Sequence, residues 1–226
     1  MKARIPRRLL RLYEKFDDCE RCKKEHNPFR HILGGGKFKN PQFLFLFINP
    51  THLNISSHKN YPGQRRFPFI GVRHFYRLLA KAGFLNPVIV EDIYKNGWQV
   101  HHEVEIEQSL TENDIYLTNL VKCAQPHPGN PSMKIIMEDF PLLQQEINLV
   151  LPKLIVAFGV LPFRVITGKN IRLADYLIQL KESNCPSFKS VSILGKIYDV
   201  LPCYFPIGRG NAERAVEMLK YLKERG

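Results

Sequence analysis

What this chain has little of narrows the field first. No apolar run approaches the roughly eighteen residues that a membrane span requires, and the basic N-terminus has no apolar signal core. A soluble, intracellular protein is expected. Cysteines number only five, Cys19, Cys22, Cys123, Cys185 and Cys203; an odd count without a secretion signal argues against a disulfide framework and for reduced thiols. There is no Gly/Ser or Pro-rich linker, no internal repeat and no low-complexity segment, so the 226 residues are expected to form one domain. Acids are scarce as well. Lys and Arg number 33 against 21 Asp and Glu, a formal net charge of +12, which favours a polyanionic partner such as nucleic acid over a merely solvated basic surface. The basic residues gather near the N-terminus, at Arg65 and Arg66, and at Arg209. Nothing calls for a second subunit, and a monomer is expected.

Aromatics are abundant, with 15 Phe and 9 Tyr, and the densest apolar stretch is Gln42-Phe-Leu-Phe-Leu-Phe-Ile48, bounded by Pro41 and Pro50. Such a run reads as a strand buried on both faces, as in a parallel sheet. It ends in Asn49, Thr51 and His52, and ligands of open α/β sheets bind off the carboxyl ends of the strands. A second buried strand is expected over Asp114 to Cys123, again with a polar end, and a third over Pro152 to Gly159. Val191 to Pro202 reads as two short strands around Gly195.

Helices are expected over Ile5 to Phe16, around Phe75 to Ala82, from Ile135 to Val150, over Ile171 to Leu180, and at the C-terminus behind an Asn211 cap. Alternation of helices with buried strands predicts an α/β fold with a covered, mostly parallel sheet. Gly34-Gly35-Gly36 precedes a strand and lacks a following Lys-Ser/Thr, so it reads as a flexible turn and not a phosphate loop. The segment Asn86 to Glu112 has no clear period; its His101-His102 pair reads as surface histidines rather than metal ligands. Cys19-x-x-Cys22 can bring two thiolates to one metal ion or cluster, with His26 in reach.

Taken together and in order, Cys19-x-x-Cys22, the glycine loop, the strand into Asn49-Pro50, Pro68-Phe69-Ile70-Gly71, Thr118-Asn119-Leu-Val-Lys-Cys123, the Pro152 to Gly159 strand and Leu201-Pro202-Cys-Tyr-Phe205-Pro206 resemble the uracil-DNA glycosylase superfamily. The nearest likeness is to its iron–sulfur branch, family four. The resemblance implies a three-layer α/β/α fold with a short, mostly parallel central sheet. It also implies hydrolysis of the N-glycosidic bond of uracil or another deaminated base in DNA, as in base excision repair.

Residue by residue, the resemblance makes Asn49 the group that positions the attacking water and His52 its neighbour after the turn, although family four itself has Gly-Glu-Ala-Pro-Gly there. It puts Ile48, Phe69, Asn119 and Phe205 at the base: Phe69 stacks on it and Asn119 reads its edge, since such enzymes act on a flipped base. Arg65, Arg66 and Arg209 would meet DNA. Phe205-Pro206-Ile207 stands where the superfamily usually has His-Pro-Ser, so the donor to the leaving base is missing, a loss of ~100 to 1,000-fold in rate. Cys19, Cys22 and Cys123 match three ligands of a 4Fe-4S cluster, while the fourth cysteine is replaced by Asp139. A cluster with another fourth ligand (Cys185 or Cys203 only if the fold brings one near), a zinc site completed by His26 or an acid, and a lost site all remain open. So do two other functions: a weak or inactive relative that binds damaged DNA, and a nucleotide or RNA-base binder.

Overall fold

The computed structural model describes residues 5–18, 31–50, 73–123, 129–206 and 212–224. Among them the chain forms α1 (Arg7–Asp17), β1 (Gly35–Gly36), β2 (Phe43–Phe47), α2 (Arg73–Lys81), α3 (Pro87–Asn96), α4 (Val100–Glu112), β3 (Ile115–Asn119), α5 (Met133–Val150), β4 (Leu154–Phe158), α6 (Val160–Thr167), α7 (Leu173–Ser183), β5 (Lys189–Ile193), β6 (Lys196–Cys203) and α8 (Ala212–Lys223). The sheet order is β1-β3-β2-β4-β6-β5. The inner strands β3, β2, β4 and β6 run parallel, and the edge strands β1 and β5 are antiparallel to their neighbours.

Every residue of β2, β3 and β4 is buried, as a strand covered on both faces requires. Phe43, Phe45 and Phe47 point to the layer of α2, α3, α4, α7 and α8. Leu44 and Leu46 point to α1, α5 and α6. The result is a three-layer α/β/α architecture. Each buried Phe or Leu side chain contributes about 1.5–3 kcal/mol of transfer free energy, so the β2 stretch alone anchors both layers.

Several local expectations are corrected. The triple glycine is no flexible turn: Gly35 and Gly36 pair with Leu117 and Tyr116 as an edge strand. A Cβ on Gly34 would lie 1.8 Å from the Tyr116 hydroxyl, and Gly36 has φ +97, a left-handed backbone suited to glycine. Close approach to β3 is what these residues permit. The segment Asn86 to Glu112 folds as a helix pair. Asn86 caps α3 by accepting Val88 N–H at 3.0 Å, ahead of Pro87 at the first helical position. The helix α6 was not anticipated, because its eight residues are too few to show a period.

Candidate functional site

The connections out of β2 and β4 leave in opposite directions, β2 leading to β3 on one side and β4 to β6 on the other. Ligands of open α/β sheets bind at such a switch point, beyond the carboxyl ends of the strands. Here those ends are Ile48-Asn49 after β2, Asn119 closing β3, Gly159 after β4 and Tyr204-Phe205 after β6.

Backbone bonds hold these ends in register. Phe47 is paired with Asn119, Leu120 N–H donates to Phe47 O at 2.8 Å and Val121 N–H to Ile48 O at 3.0 Å. On the other side Gly159 N–H donates to Cys203 O at 2.8 Å. Register partners in a parallel pair project to the same face. The Asn119 side chain therefore shares the face of Phe47, over which α2 begins.

That face is aromatic. Phe47 and Phe158 stack with centroids 4.4 Å apart and planes inclined by 8°. Phe75 of α2 meets Phe47 edge-on at 5.1 Å, and Phe205 meets it at 6.2 Å and 75°. Phe205 also lies against Gly159, whose added Cβ would fall 3.9 Å from the Phe205 Cβ. An apolar wall thus stands at the end of β6.

Two amides border it. Asn49 is half-buried, and its Nδ2 donates to the Pro50 carbonyl at 3.0 Å, which turns Oδ1 the other way as an acceptor. Asn119 is 1% exposed, and its Oδ1 has no hydrogen-bond partner among the described residues. Buried polar atoms are nearly always bonded, and an unmet acceptor costs about 1–3 kcal/mol. An acceptor left open beside stacked aromatic rings is a site for a planar N–H donor.

Below the same strand end lies a second polar group. Lys122 Nζ is 2.6 Å from Glu146 Oε2, both side chains fully buried. Glu146 Oε1 accepts from the Tyr116 hydroxyl at 2.6 Å, and Tyr116 bonds Tyr13 at 2.7 Å. Thr118 donates to Glu146 at 3.1 Å and accepts from Lys122. Burial pulls the Lys122 ammonium pKa down, opposed by the Glu146 charge; burial, with Glu146 beside it, pushes the Tyr116 hydroxyl well up. Lys122 is therefore a buried structural ion at the polar end of the β3 stretch.

Cys123 follows it. His31 Nε2 is 3.0 Å from Cys123 Sγ, and His31 Nδ1 is 3.5 Å from Asp17 Oδ1 near the end of α1, two residues ahead of Cys19. Asp139 Oδ2 accepts Lys122 N–H at 3.3 Å. Ligands on one tetrahedral zinc, at about 2.3 Å for sulfur and 2.0–2.1 Å for nitrogen, lie about 3.5 Å from each other, so the Cys123–His31 pair is spaced close to two members of such a set. His31 escaped sequence reading because it sits in an aperiodic segment; only its position a few residues beyond Cys19-x-x-Cys22 marked it. Asp139 thus reaches the segment just beyond β3 that carries Cys123. Cys203 is excluded as a substitute: it lies on β6, three strand spacings of ~4.8 Å from β3, with its thiol against the Ala215 carbonyl at 4.0 Å and its pKa pushed up by burial. Cys185 is exposed beyond α7.

Among the described residues, the group of three or more ligand-type side chains close together is Asp92, His101 and His102. His102 is fully buried, contrary to the surface reading. Its Nδ1 accepts Gln99 N–H at 2.8 Å, so Nε2 carries the hydrogen and donates it to Asp92 Oδ2 at 2.6 Å. A metal would need that nitrogen's lone pair. The trio caps α4.

Cys19, Cys22, His26, His52, Arg65, Arg66, Phe69, Arg209 and Asn211 lie outside the described residues. No helix among the described residues is long and apolar enough to cross a membrane.

No curated protein matches the chain. The family model of the uracil DNA glycosylase superfamily matches residues 36–224, a span that contains all three strand ends bearing Asn49, Asn119 and Phe205, and the chain belongs to that superfamily.

Proposed function

We propose that the chain hydrolyses the N-glycosidic bond of uracil, or of another deaminated base, in DNA. The observation that carries this reading is the orphaned Oδ1 of Asn119 beside the Phe47–Phe158 stack. A flipped uracil presents N3–H and O4 on one edge. Oδ1 accepts the N3–H and Nδ2 donates to O4, while Phe69, from the segment after β2, stacks on the ring. Ile48 and Phe205 close the base in. Asn49 keeps Nδ2 on the Pro50 carbonyl and offers Oδ1 to a water aimed at C1′ of the sugar, with His52 beside it. The C1′–N1 bond breaks with its electron pair going to the base as positive charge develops on the sugar; water adds to C1′ and releases a proton to solvent, the base anion takes up a proton from solvent, and the products are free base and an abasic site. An amide cannot take that proton. Rate must come from positioning and from the electrophilicity of the sugar. Phe205 supplies no donor to O2 of the departing base, so turnover is slow and favours bases that flip at little cost, in mismatches or single strands.

Within the superfamily, the chain is closest in design to the iron–sulfur branch. Cys19, Cys22 and Cys123 would hold a 4Fe-4S cluster, with Asp139 as the fourth donor. Each iron of a cluster takes its own protein ligand, so the short His31–Cys123 separation favours the competing assignment, one zinc ion held by these cysteines and His31. The group would supply a rigid tie between the start of the chain and β3, with no part in bond cleavage. Protein purified without oxygen should be brown, with absorption near ~400 nm; colourless protein with stoichiometric zinc would reverse the assignment.

The deciding experiment is single-turnover base release from DNA with uracil opposite guanine, opposite adenine and in single strand, and with hypoxanthine in parallel. Release that vanishes in Asn49→Ala is the expected result. Tight binding of uracil DNA without release from any of these would sink the hydrolase and leave a damage-binding protein, the reading that Phe205 favours.

A further inference from the structure

The α2–α3 hairpin carries a surface that the reaction above does not use. The helix α2 runs antiparallel to β2: Phe75 in its first turn meets Phe47 at the end of the strand, and Phe84 just beyond its last turn meets Phe43 and Phe45 at the beginning. The chain reverses at Asn86, and α3 climbs back. Its last turn therefore brings Tyr94 beside the first turn of α2, at the same end of the sheet as Asn49 and Asn119.

There Tyr94 is exposed and held by cations. The Arg73 guanidinium is 5.1 Å from the ring centroid, that of Arg77 5.8 Å, and the hydroxyl is bonded to His74 Nδ1 at 3.1 Å. Arg73, Arg77 and Lys81 follow one another at four-residue intervals on the exposed face of α2, about 6 Å apart along the axis. Beside them opens a groove of about 340 Å³. Ala80, Pro87 and Val90 form its apolar floor and Tyr94 closes one end; Arg77 and Lys81 rim one side and Glu91 the other.

An apolar slot ended by an aromatic ring and edged by a row of cations is built like the sites that take unpaired nucleotides, where bases stack on aromatic side chains and phosphates follow a basic track. A carboxylate at the slot suits the N–H groups of a base edge. The net charge of +12 favours a polyanion over an acidic or apolar protein segment. Resting on the reading that the chain acts on DNA, we propose that this groove binds an unpaired nucleotide of the strand flanking the lesion, with its base against Tyr94 and its phosphates on Arg73, Arg77 and Lys81.

The test uses the full chain and an undamaged, labelled single-stranded oligonucleotide followed by fluorescence anisotropy across a salt series. Arg73→Ala with Arg77→Ala should weaken binding and lower the salt slope by about 1.4, two single-strand phosphate contacts. Tyr94→Ala should weaken it about 5- to 150-fold, the worth of one stacked base, and Tyr94→Phe should stay near the parent. A blunt duplex should be indifferent to Tyr94→Ala. Oligonucleotides carrying 5-iodouracil should cross-link to the Tyr94 peptide on irradiation in the unaltered protein, a readout that no folding defect of a variant can mimic. Unchanged affinity and slope in the variants, equal losses on duplex, or cross-links that avoid the hairpin would each overturn the proposal. The glycosylase reading stands or falls separately: an inactive protein whose strand binding still depends on Tyr94 loses only the chemistry.

Discussion

Lys122 Nζ and Glu146 Oε2 face each other at 2.6 Å with neither side chain exposed to water. The pair links the segment just beyond β3 to the C-terminal part of α5, and Tyr116 and Tyr13 extend it to α1. Removing one partner of such a pair strands the other charge and typically costs about 3–5 kcal/mol, whereas replacing both with apolar groups of similar volume is often near neutral. Lys122→Met or Glu146→Leu alone should therefore lower the denaturant midpoint severely, and the double variant should recover most of the loss. A double variant no better than the worse single one would refute this account of the pair.

Asn119 should behave in the opposite way. Its unmet Oδ1 burdens the fold by about 1–3 kcal/mol, the usual cost of an orphaned acceptor. Asn119→Leu is expected to fold at least as stably as the parent and to release no base. Thermal melting and single-turnover release on the same preparation would check both halves; a large fall in stability would mean that Asn119 serves the fold and not the ligand.

Phe205 invites a gain of function. If the apolar wall at the end of β6 is what slows cleavage, Phe205→His should raise the single-turnover rate by ~100-fold or more, the effect of one well-placed donor. Binding of uracil DNA should change little. A variant that binds the DNA and is no faster would move the blame from Phe205 to the geometry around Asn49.

Acid should expose the Asp92 cap of α4. Hydrogen bonds from His102 first and Asn96 second hold the Asp92 carboxyl below its ordinary value of 3.8. As pH falls through that value the unfolded chain takes up a proton that native Asp92 still refuses. The stabilisation, complete above that value, is therefore lost on the way down to the lowered native one. Asp92→Asn keeps an acceptor for His102 and cannot titrate, so its stability should fall less steeply below about pH 4. Urea midpoints at neutral pH and through the acid range would show it, and parallel acid limbs would count against it.

The sheet was legible because β2, β3 and β4 are each a short, nearly unbroken apolar run closed by a polar residue, a pattern forced by burial on both faces. The same logic pointed to Asn49 and Asn119 before their geometry was known. The α3–α4 segment was opaque for a physical reason: alongside Ile106 and Leu110, α4 buries His102, Glu103, Glu107 and Ser109, so its inner face carries no apolar stripe. The partners of Lys122 and Asp139 were not legible either: both are buried, and only the three-dimensional fold shows Lys122 paired with Glu146 and Asp139 taking the Lys122 N–H. His31 belongs with them, a buried imidazole in a segment with no period at all.

The parallel core is closed on one side by a strand of two glycines and on the other by β5, where Lys189 and Ser190 stand exposed. Neither rim offers another chain much to pair with: one is too short, the other too polar, both familiar defences against edge-to-edge association. For a strongly basic protein this matters where it works. A polyanion would gather many copies into a small volume, where a long unprotected edge would nucleate aggregates; rims this short and polar give such copies little to join by.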